Sequence, residues 1–386
     1  MYHSFVNVLE AIEMKKSLSF LLVFVLIIGL LTGCAKDGGS GNDNGGNSAS
    51  GSGNVSGNNG TGGSTGTGNT SDNGSDGDVV NPGNATEYES VNIRLGGLKG
   101  PTTMGMVKLL DDAEQKLTAN TYDFTMAAMA DELTPRLLKG ELDILAVPSN
   151  LGAILYKNSK GGVKMIAANA LGVIYIVEKG GETINSLADL KGKTIYATGK
   201  GSTPEYALSY LLSQAGLTLG KDVVVEWKSE PTEVVALMAT EESSIAMLPQ
   251  PFVTVAQSQL ENLRVAIDLN SEWDKLNNGS ACVTAALIVR SAFAEEHPEA
   301  LAKFLEEYAA STEYVNQNLE ESSLLVEKYD IVKAAVAKKA IPGCNIVCIT
   351  GDEMKTMTEG YFKVLYDQNP AAVGGELPGE DFYRGR

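Results

Sequence analysis

The sequence predicts an α/β fold with two lobes built on largely parallel sheets. Short apolar segments with strand-like alternation recur along the chain, and segments with a helical period of apolar residues lie between most of them. The folded part spans about 300 residues, which is more than a single sheet usually organises. Because 43% of the chain is hydrophobic, both lobes can form large cores without disulfide bonds.

The folded part begins near Ser90 with a strand at 91–95, followed by a glycine-rich turn. Thr102 or Thr103 is expected to cap the next helix. The apolar face of that helix is Met106, Leu109, Leu110, Ala113 and Leu117. Further strands are predicted at 124–128, 143–148, 164–168, 173–178, 194–198, 223–228, 245–248, 263–268 and 283–289. Further helices are predicted at 132–139, 150–157, 186–190, 204–215, 233–240, 251–259 and 298–318.

The first 33 residues have the pattern of a signal peptide. Two lysines follow Met14, residues 17–31 are almost wholly apolar, and Leu31-Thr32-Gly33-Cys34 forms a lipobox. The apolar run is shorter than the roughly 20 residues that a membrane-spanning helix needs. We expect translation to start at Met14, cleavage to precede Cys34, and the Cys34 thiol to carry lipid on the extracytoplasmic face of the cell membrane.

Residues 34–87 are expected to contain the lipidated cysteine and a disordered tether. The tract from Gly38 to Thr86 consists mostly of Gly, Ser, Asn and Thr and has no aromatic residue, so it cannot pack a core. As a flexible coil it has a root-mean-square reach of about 40 Å.

Charge and residue usage exclude several classes of function. The net charge of -18 argues against binding to nucleic acid or to an anionic lipid surface. Two histidines, one of them His297 before Pro298, leave no credible histidine base or metal cluster. Cys344 and Cys348 are more consistent with buried thiols than with a disulfide or a metal site. The glycine spacing at 96–100 does not fit a dinucleotide-binding loop.

Five segments, in this order, resemble motifs of one protein family. They are GLKGPTT at 97–103, DILAVPSN at 143–150, SLADLKGKTI at 186–195, GSTPE at 201–205 and IAMLPQPF at 245–252. The folded part, 88–386, resembles the substrate-binding proteins of ABC importers in the sulfonate, nitrate and thiamine-precursor branch.

That resemblance implies a periplasmic-binding-protein type II fold, in which the chain crosses twice between two lobes and the ligand sits in the cleft. Residues 88–172 would form the first lobe and 173–280 the second, and 281–386 would return to the first. The implied function is that of a lipid-anchored component that binds a small organic solute, hands it to an ABC permease and performs no chemistry.

The candidate ligand-binding residues lie in turns at strand ends and at helix N-termini, where backbone N–H groups are unpaired. Each has a structural alternative as a helix cap, a turn or core. The candidates are Thr102, Thr103, Met104, Ser149, Asn150, Asn169, Gly172, Ser202, Thr203, Pro204, Glu205, Gln250 and Phe252. Asn169 and Gly172 lie where the chain is expected to leave the first lobe, and Gly172 could serve as a hinge. The second crossing is expected near 278–282.

Two alternative functions remain open at this stage. One is an enzyme on the same fold that resembles a pyrimidine synthase, although its cysteine-rich motif and active-site histidine are not seen here. The other is an orphan sensor or adhesin. The solute could be a sulfonate, a thiamine precursor or another vitamin-like compound. Because Lys99 and Lys200 are the only basic residues near the candidate turns, we expect a neutral or weakly anionic, aromatic nutrient and no cofactor or metal.

Overall fold

Two mixed β-sheets flanked by helices organise the protein, as the computed structural model shows. The structure describes residues 88–384. The predicted signal peptide, Cys34 and the tether lie outside the described residues, as do positions 385 and 386. The strands are β1 Asn92–Leu98, β2 Thr121–Ala127, β3 Ile144–Pro148, β4 Val163–Ala170, β5 Ile174–Lys179, β6 Thr194–Ala197, β7 Val224–Trp227, β8 Ser244–Pro249, β9 Leu263–Asp268, β10 Ala285–Arg290 and β11 Ile346–Ile349.

Helices occupy most of the connections between these strands. The α-helices are α1 Pro101–Met104, α2 Val107–Glu114, α3 Ala130–Leu138, α4 Ser149–Asn158, α5 Thr203–Gln214, α6 Pro231–Thr240, α7 Phe252–Gln259, α8 Leu269–Asp274, α9 Ser291–Glu296, α10 Pro298–Gln317, α11 Leu319–Lys328, α12 Ala334–Ala340 and α13 Gly351–Gln368. Short 3-10 helices cover Leu187–Leu190, Ile341–Cys344, Pro370–Val373 and Glu380–Phe382.

The order of strands confirms the predicted two-lobed α/β fold with two crossings. One sheet has the order β11-β4-β10-β3-β1-β2, and the other has the order β7-β6-β8-β5-β9. We call the first sheet with its helices the first lobe, and the second sheet with its helices the second lobe. The chain leaves the first sheet after β4 and returns to it at β10.

The prediction of largely parallel sheets is wrong. β1 is parallel to β2 and β3, and β6 is parallel to β7 and β8, but β5, β10 and β11 run against the strands that they pair with. β5 and β10 are the strands that follow a crossing. Each begins beside the carboxyl ends of the strands that it pairs with, so it must run in the opposite direction.

Glycines at the end of β1 explain why this strand continues beyond its predicted end. A Cβ atom on Gly97 would lie 2.4 Å from Thr103 Oγ1, and one on Gly96 would lie 2.7 Å from Leu145 Cδ1. These contacts leave no room for a side chain, so glycine permits the close packing of the strand against α1 and β3.

The helix expected after β1 is interrupted at Gly105. A Cβ atom there would lie 2.9 Å from both Ile346 Cγ2 and Tyr308 Oη, which shows how closely β11 and α10 pack against the backbone at this point. Because α2 ends at Glu114, Leu117 falls outside the predicted apolar face and is 69% exposed. The segment predicted as a helix at 186–190 is a single 3-10 turn.

Each lobe contains one buried carboxylate that several donors surround. In the first lobe, Asp143 is 1% exposed and accepts hydrogen bonds from Arg94 Nε at 2.8 Å, Arg94 N at 3.0 Å and Arg290 Nη2 at 2.9 Å. Burial acts to raise the pKa of Asp143, but the hydrogen bonds from Arg94 and Arg290 outweigh burial and hold the pKa below its ordinary value.

In the second lobe, Glu178 at the end of β5 takes the same role. Its carboxylate accepts from Thr183 N and Oγ1, from Ile184 N at 3.2 Å and from Arg264 Nη2 at 2.6 Å. Burial acts to raise the pKa of Glu178, and the donors from Thr183 and Arg264 lower it below its ordinary value. The two carboxylates therefore tie β1 to β10 in one lobe and β5 to β9 in the other.

We predict that Asp143→Asn destabilises the protein, because it leaves two guanidinium groups without their shared anion. The loss should be about 2 kcal/mol, below the cost of breaking a fully buried pair, since Arg94 is partly exposed. Urea unfolding measures this change. Asp330→Asn is the control, because Asp330 pairs with Lys99 at the surface and should change stability by less than about 0.5 kcal/mol. Equal effects of the two substitutions would contradict the prediction.

A second prediction concerns the stability of the folded protein at acid pH. Because folding lowers the pKa values of Asp143 and Glu178, the two carboxylates stabilise the folded protein fully above about pH 5. As the pH falls, the unfolded chain takes up protons first, so stability declines until the folded-state pKa values are passed. Melting temperatures measured across this range should fall less steeply for Asp143→Asn/Glu178→Gln than for the unmodified protein. An unchanged slope would contradict the prediction, because it would mean that other carboxylates determine how stability depends on pH.

Candidate functional site

Strands of both sheets end at the crossings between the lobes. In the second sheet, Ile174 at the start of β5 pairs with Pro249 at the end of β8. In the first sheet, Ala285 at the start of β10 pairs with Pro148 at the end of β3 and with Ala170 at the end of β4. The carboxyl ends of the parallel strands in both sheets therefore lie at the crossings, which is where open α/β sheets bind ligands.

The first crossing consists of residues 171–173, and side chains from both lobes hold it. Asn270 Oδ1 of the second lobe accepts from Gly172 N at 3.0 Å, and Asn345 Nδ2 of the first lobe donates to Gly172 O. Leu171 N donates to Asn345 O at 3.0 Å. The backbone of Gly172 is thus fully hydrogen-bonded. Its predicted hinge role remains a prediction.

The second crossing consists of residues 275–284, between α8 and β10, and lies against the end of β3. Thr284 N donates to Ala170 O at 3.1 Å, and Ser149 N donates to Thr284 O at 3.1 Å. The Ser149 hydroxyl is 1% exposed and donates to Val283 O. Asn150, the next residue, donates from Nδ2 to Ala372 O at 3.1 Å. In this conformation, both polar side chains of the Ser149-Asn150 pair therefore fasten the returning chain.

The first-lobe turn differs from its prediction. Neither Thr102 nor Thr103 caps α1, because the helix starts at Pro101, and Gly100, with φ 140°, precedes it. Both threonine hydroxyls donate to Leu98 O, at 2.9 and 2.6 Å. Proline is favoured at the first helical position, where no N–H is needed, so the helix begins earlier than the threonines suggested.

Thr103 and Met104 are wholly buried in the first lobe, whereas Thr102 is half-buried. The sulfur of Met104 lies 3.8 Å from Cys344 Sγ within a hydrophobic cluster. Cys344 is therefore a buried thiol, and no disulfide links the cysteines of residues 88–384. Of the three candidates in this turn, Thr102 is the one that keeps part of its surface exposed.

Asn169, at the end of β4, connects this turn to the lobe interior. Its Nδ2 donates to Thr102 O at 2.8 Å, while its Oδ1 is buried without a hydrogen-bond partner. The buried hydroxyls of Tyr308 and Thr312 are likewise without partners in hydrogen-bond geometry. The two hydroxyls lie beside Gly105, the residue that follows α1, and the Tyr308 hydroxyl also lies beside Asn169.

The second-lobe turn begins α5. Ser202 is the residue before the helix and donates from Oγ to Gly199 O at 2.6 Å, and Pro204 packs on Gly199. The Glu205 carboxylate accepts from Gly201 N. Ser202, Thr203, Pro204 and Glu205 are all half-buried. A carboxylate already occupies this helix N-terminus, which reduces its capacity to attract an anion.

Gln250 and Phe252 follow β8. Gln250 is 8% exposed, and its Oε1 accepts from Thr254 Oγ1 at 3.0 Å. The peptide bond between Gln250 and Pro251 is cis. Phe252 is half-buried and belongs to none of the hydrophobic clusters within residues 88–384. An aromatic ring in that position can stack on a solute.

Sequence reasoning missed the segment 341–345, which connects the turns of both lobes. Its 3-10 helix, Ile341–Cys344, contacts α1 of the first lobe. Tyr175 Oη of the second lobe donates to Gly343 O at 2.7 Å, and a Cβ atom on Gly343 would lie 2.9 Å from Gln250 Nε2. The only sequence signal for this segment was its Pro-Gly pair, which is typical of any turn.

Tyr361 of α13 was also missed. Its ring packs edge-on against Trp273, with centroids 5.4 Å apart. Its hydroxyl lies beside Thr203 and Cys282 but has no partner in hydrogen-bond geometry. Burial raises the pKa of Tyr361 well above its ordinary value, so the phenol stays neutral.

The candidate turns therefore present mainly amides, hydroxyls and an aromatic ring, together with the Glu205 carboxylate. Lys99 pairs with Asp330 at 3.1 Å, and Lys200 is exposed. Among residues 88–384, no cluster of histidine, cysteine, aspartate and glutamate side chains could hold a metal ion. Two cavities of about 450 Å³ lie away from the crossings, one beside Leu301 and one beside Thr194.

Two α/β sheets, joined by two crossings at which their strands end, define the class of periplasmic-type binding proteins. The chain belongs to the family described as ABC transporter, phosphonate, periplasmic substrate-binding protein, whose model matches residues 102–339, more than half of the 386-residue chain. It is thus the extracytoplasmic substrate-binding component of an ABC transporter. A comparison with curated protein sequences gives no match.

Solved structures share the fold. An ABC transporter protein from Parabacteroides distasonis is 23% identical and aligns over 77% of this chain and 100% of its own, with a TM-score of 0.65. The periplasmic aliphatic sulphonate binding protein SsuA from Escherichia coli is 16% identical over 76% of this chain and 94% of its own, with a TM-score of 0.58.

No helix within residues 88–384 is long and apolar enough to span a membrane.

We predict that Tyr361→Phe does not lower stability, because it removes a buried hydroxyl that has no partner. Tyr175→Phe is the matched control. It removes a hydroxyl that donates to Gly343 O and should cost about 1 kcal/mol. Urea unfolding of both variants checks the difference. If Tyr361→Phe is the more damaging substitution, the Tyr361 hydroxyl forms a hydrogen bond that the structure does not show.

Proposed function

We propose that this protein is a lipid-anchored receptor that binds a small organic solute between its lobes and delivers it to an ABC permease. Membership of the binding-protein family supports the receptor role. The lipobox ending at Cys34, followed by a long polar tether, supports anchoring to the extracytoplasmic face of the membrane.

The observation that carries the proposed solute site is the convergence of both lobes on the segment 341–345. This segment contacts α1 from the first lobe and Tyr175 and Gln250 from the second. A solute held there would touch Thr102 on one side and Thr203, Gln250 or Phe252 on the other. The other candidates, including Asn169 and Ser149, would support these residues from behind.

The charges around the site favour a neutral or singly charged solute. The helix N-terminus at Thr203 already holds the Glu205 carboxylate, and Lys99 is paired with Asp330. A dianion would have to compete with Glu205, and of the two lysines near these turns Lys99 is paired and Lys200 is exposed to solvent. Phe252 favours an aromatic or apolar body. A singly charged sulfonate, a pyrimidine or a vitamin-like heterocycle meets both conditions.

A thermal-shift screen of the full chain against sulfonates, phosphonates, pyrimidines and vitamins tests this proposal. A true solute at about 100 times its Kd adds about 2.7 kcal/mol to stability, which raises Tm by several degrees. We expect a neutral or monoanionic compound to do so without being consumed. Product formation would favour an enzyme on this fold. A response confined to dianionic phosphonates would overturn the charge argument, and binding only to a protein partner would favour a sensor or adhesin.

We predict that Phe252→Ala weakens binding of the solute found in that screen by about tenfold, because base or ring stacking contributes about 1–2 kcal/mol. Isothermal titration calorimetry measures the affinity. Phe293→Leu, in the core behind α10, is the control and should leave the affinity unchanged while lowering stability.

Anchoring is tested separately. Cys34→Ser should move the protein from the membrane fraction to the soluble fraction and abolish labelling with radioactive palmitate, since the acylated thiol is lost. Ala35→Ser is the control and should retain both properties. A Cys34→Ser protein that stays in the membrane fraction would show that another segment anchors it.

A further inference from the structure

Both backbone groups of Gly172 in the first crossing are bound by asparagine side chains, one from each lobe. Asn270 lies in α8 of the second lobe and accepts the Gly172 N–H at 3.0 Å. Asn345 directly precedes β11 of the first lobe and donates to the Gly172 carbonyl. The crossing is therefore not a free linker, because each lobe holds it by one side chain.

Each asparagine is itself held in place. Asn345 adopts a left-handed conformation, with φ 45° and ψ 48°, which asparagine tolerates better than most residues. Its carbonyl accepts from Leu171 N at 3.0 Å. Asn270 is 8% exposed, its N–H donates to Asp268 Oδ1 at 2.9 Å, and its Nδ2 donates to Asp274 Oδ2 at 3.2 Å. The side chain of Asn270 cannot turn away from Gly172 without losing its bond to Asp274, and the contacts of Asn345 fix its backbone beside the crossing.

The close approach of Asn270 explains why residue 172 is a glycine. A Cβ atom at 172 would lie 2.8 Å from both Cβ and Oδ1 of Asn270. The φ angle of Gly172 is not in the left-handed region, so glycine is required here for the close approach of Asn270 rather than for its conformational freedom.

We propose that Asn270 and Asn345 are positioning residues that set the angle between the two lobes through Gly172. An interlobe angle has two determinants, the backbone path at the crossings and the contacts between the lobes. The second crossing is longer, and side chains of both lobes hold it too: Ser149 of the first lobe donates to Val283 O, and Trp273 Nε1 of the second donates to Ser280 Oγ at 2.9 Å. The first crossing has only three residues, and both backbone groups of its central residue are held, so the two asparagine contacts fix the path that the chain takes from β4 to β5.

The proposal extends the proposed function, because a solute that binds between the lobes meets its contacts only when the lobes are at the right angle. Affinity then scales with the fraction of molecules in that arrangement. The two asparagines act through Gly172 and need not touch the solute.

The test uses the full chain without any solute. Asn345→Gly removes the amide but keeps a residue that accepts the left-handed conformation, and Asn270→Ala removes the acceptor of the Gly172 N–H. Spin labels attached through noncanonical residues at the exposed positions Lys139 and Lys221, one in each lobe, report the distribution of interlobe distances. Hydrogen exchange of the peptide that contains residues 171–173 reports the crossing itself.

We expect both variants to broaden or shift the interlobe distances, and Asn270→Ala to accelerate exchange of the Gly172 amide about tenfold, which corresponds to the loss of one hydrogen bond. Asn316→Ala is the matched control, because Asn316 Nδ2 donates to Ile346 O at 2.9 Å beside Asn345 but not to the crossing. It should lower stability similarly and leave distances and exchange unchanged.

Faster exchange with unchanged interlobe distances would overturn the proposal and leave the asparagines with a local structural role. Unchanged exchange would overturn it as well. Because no solute is used, failure of the screen for a solute would leave these results intact, and the two failures can be told apart.

Discussion

The three residues between β4 and β5 are the constraint on which the rest of the structure depends. A connection of three residues places the start of β5 close to the end of β4. β5 must therefore begin beside the carboxyl ends of β8 and β9. This forces β5 to run against its neighbours, and the return through β10 has the same consequence in the first sheet. The strand ends of both lobes are thereby gathered at one place.

Each lobe stabilises its own sheet with the same chemical device. Asp143 and Glu178 are buried carboxylates that accept from arginine and backbone donors contributed by different elements. A carboxylate can be buried at acceptable cost only when such donors surround it. These two ionic clusters lie away from the crossings. The crossings are bound directly by asparagine, threonine and serine side chains, and Asp268 and Asp274 hold Asn270 in place.

This distribution bears on what the protein can bind. The turns at the strand ends present mainly amides and hydroxyls, and two carboxylates among them, Glu205 and Asp268, already lie at helix N-termini. Neutral hydrogen-bond donors in a partly buried site select by geometry more than by charge. The family takes its name from phosphonate transport, whereas the solute that we propose for this chain carries a lower charge.

The sequence by itself determined the fold class and the approximate positions of ten of the strands, because alternation of apolar residues and turn-forming glycines and prolines are local signals. It also located the turns that carry Thr102, Thr203 and Gln250. β11, the helices after α10 and the directions of β5 and β10 depended on contacts between residues far apart in the chain, and no local pattern records such contacts. The same holds for Asn270 and Asn345, which are unremarkable polar residues in the sequence and meet at Gly172 only because the two sheets are joined there.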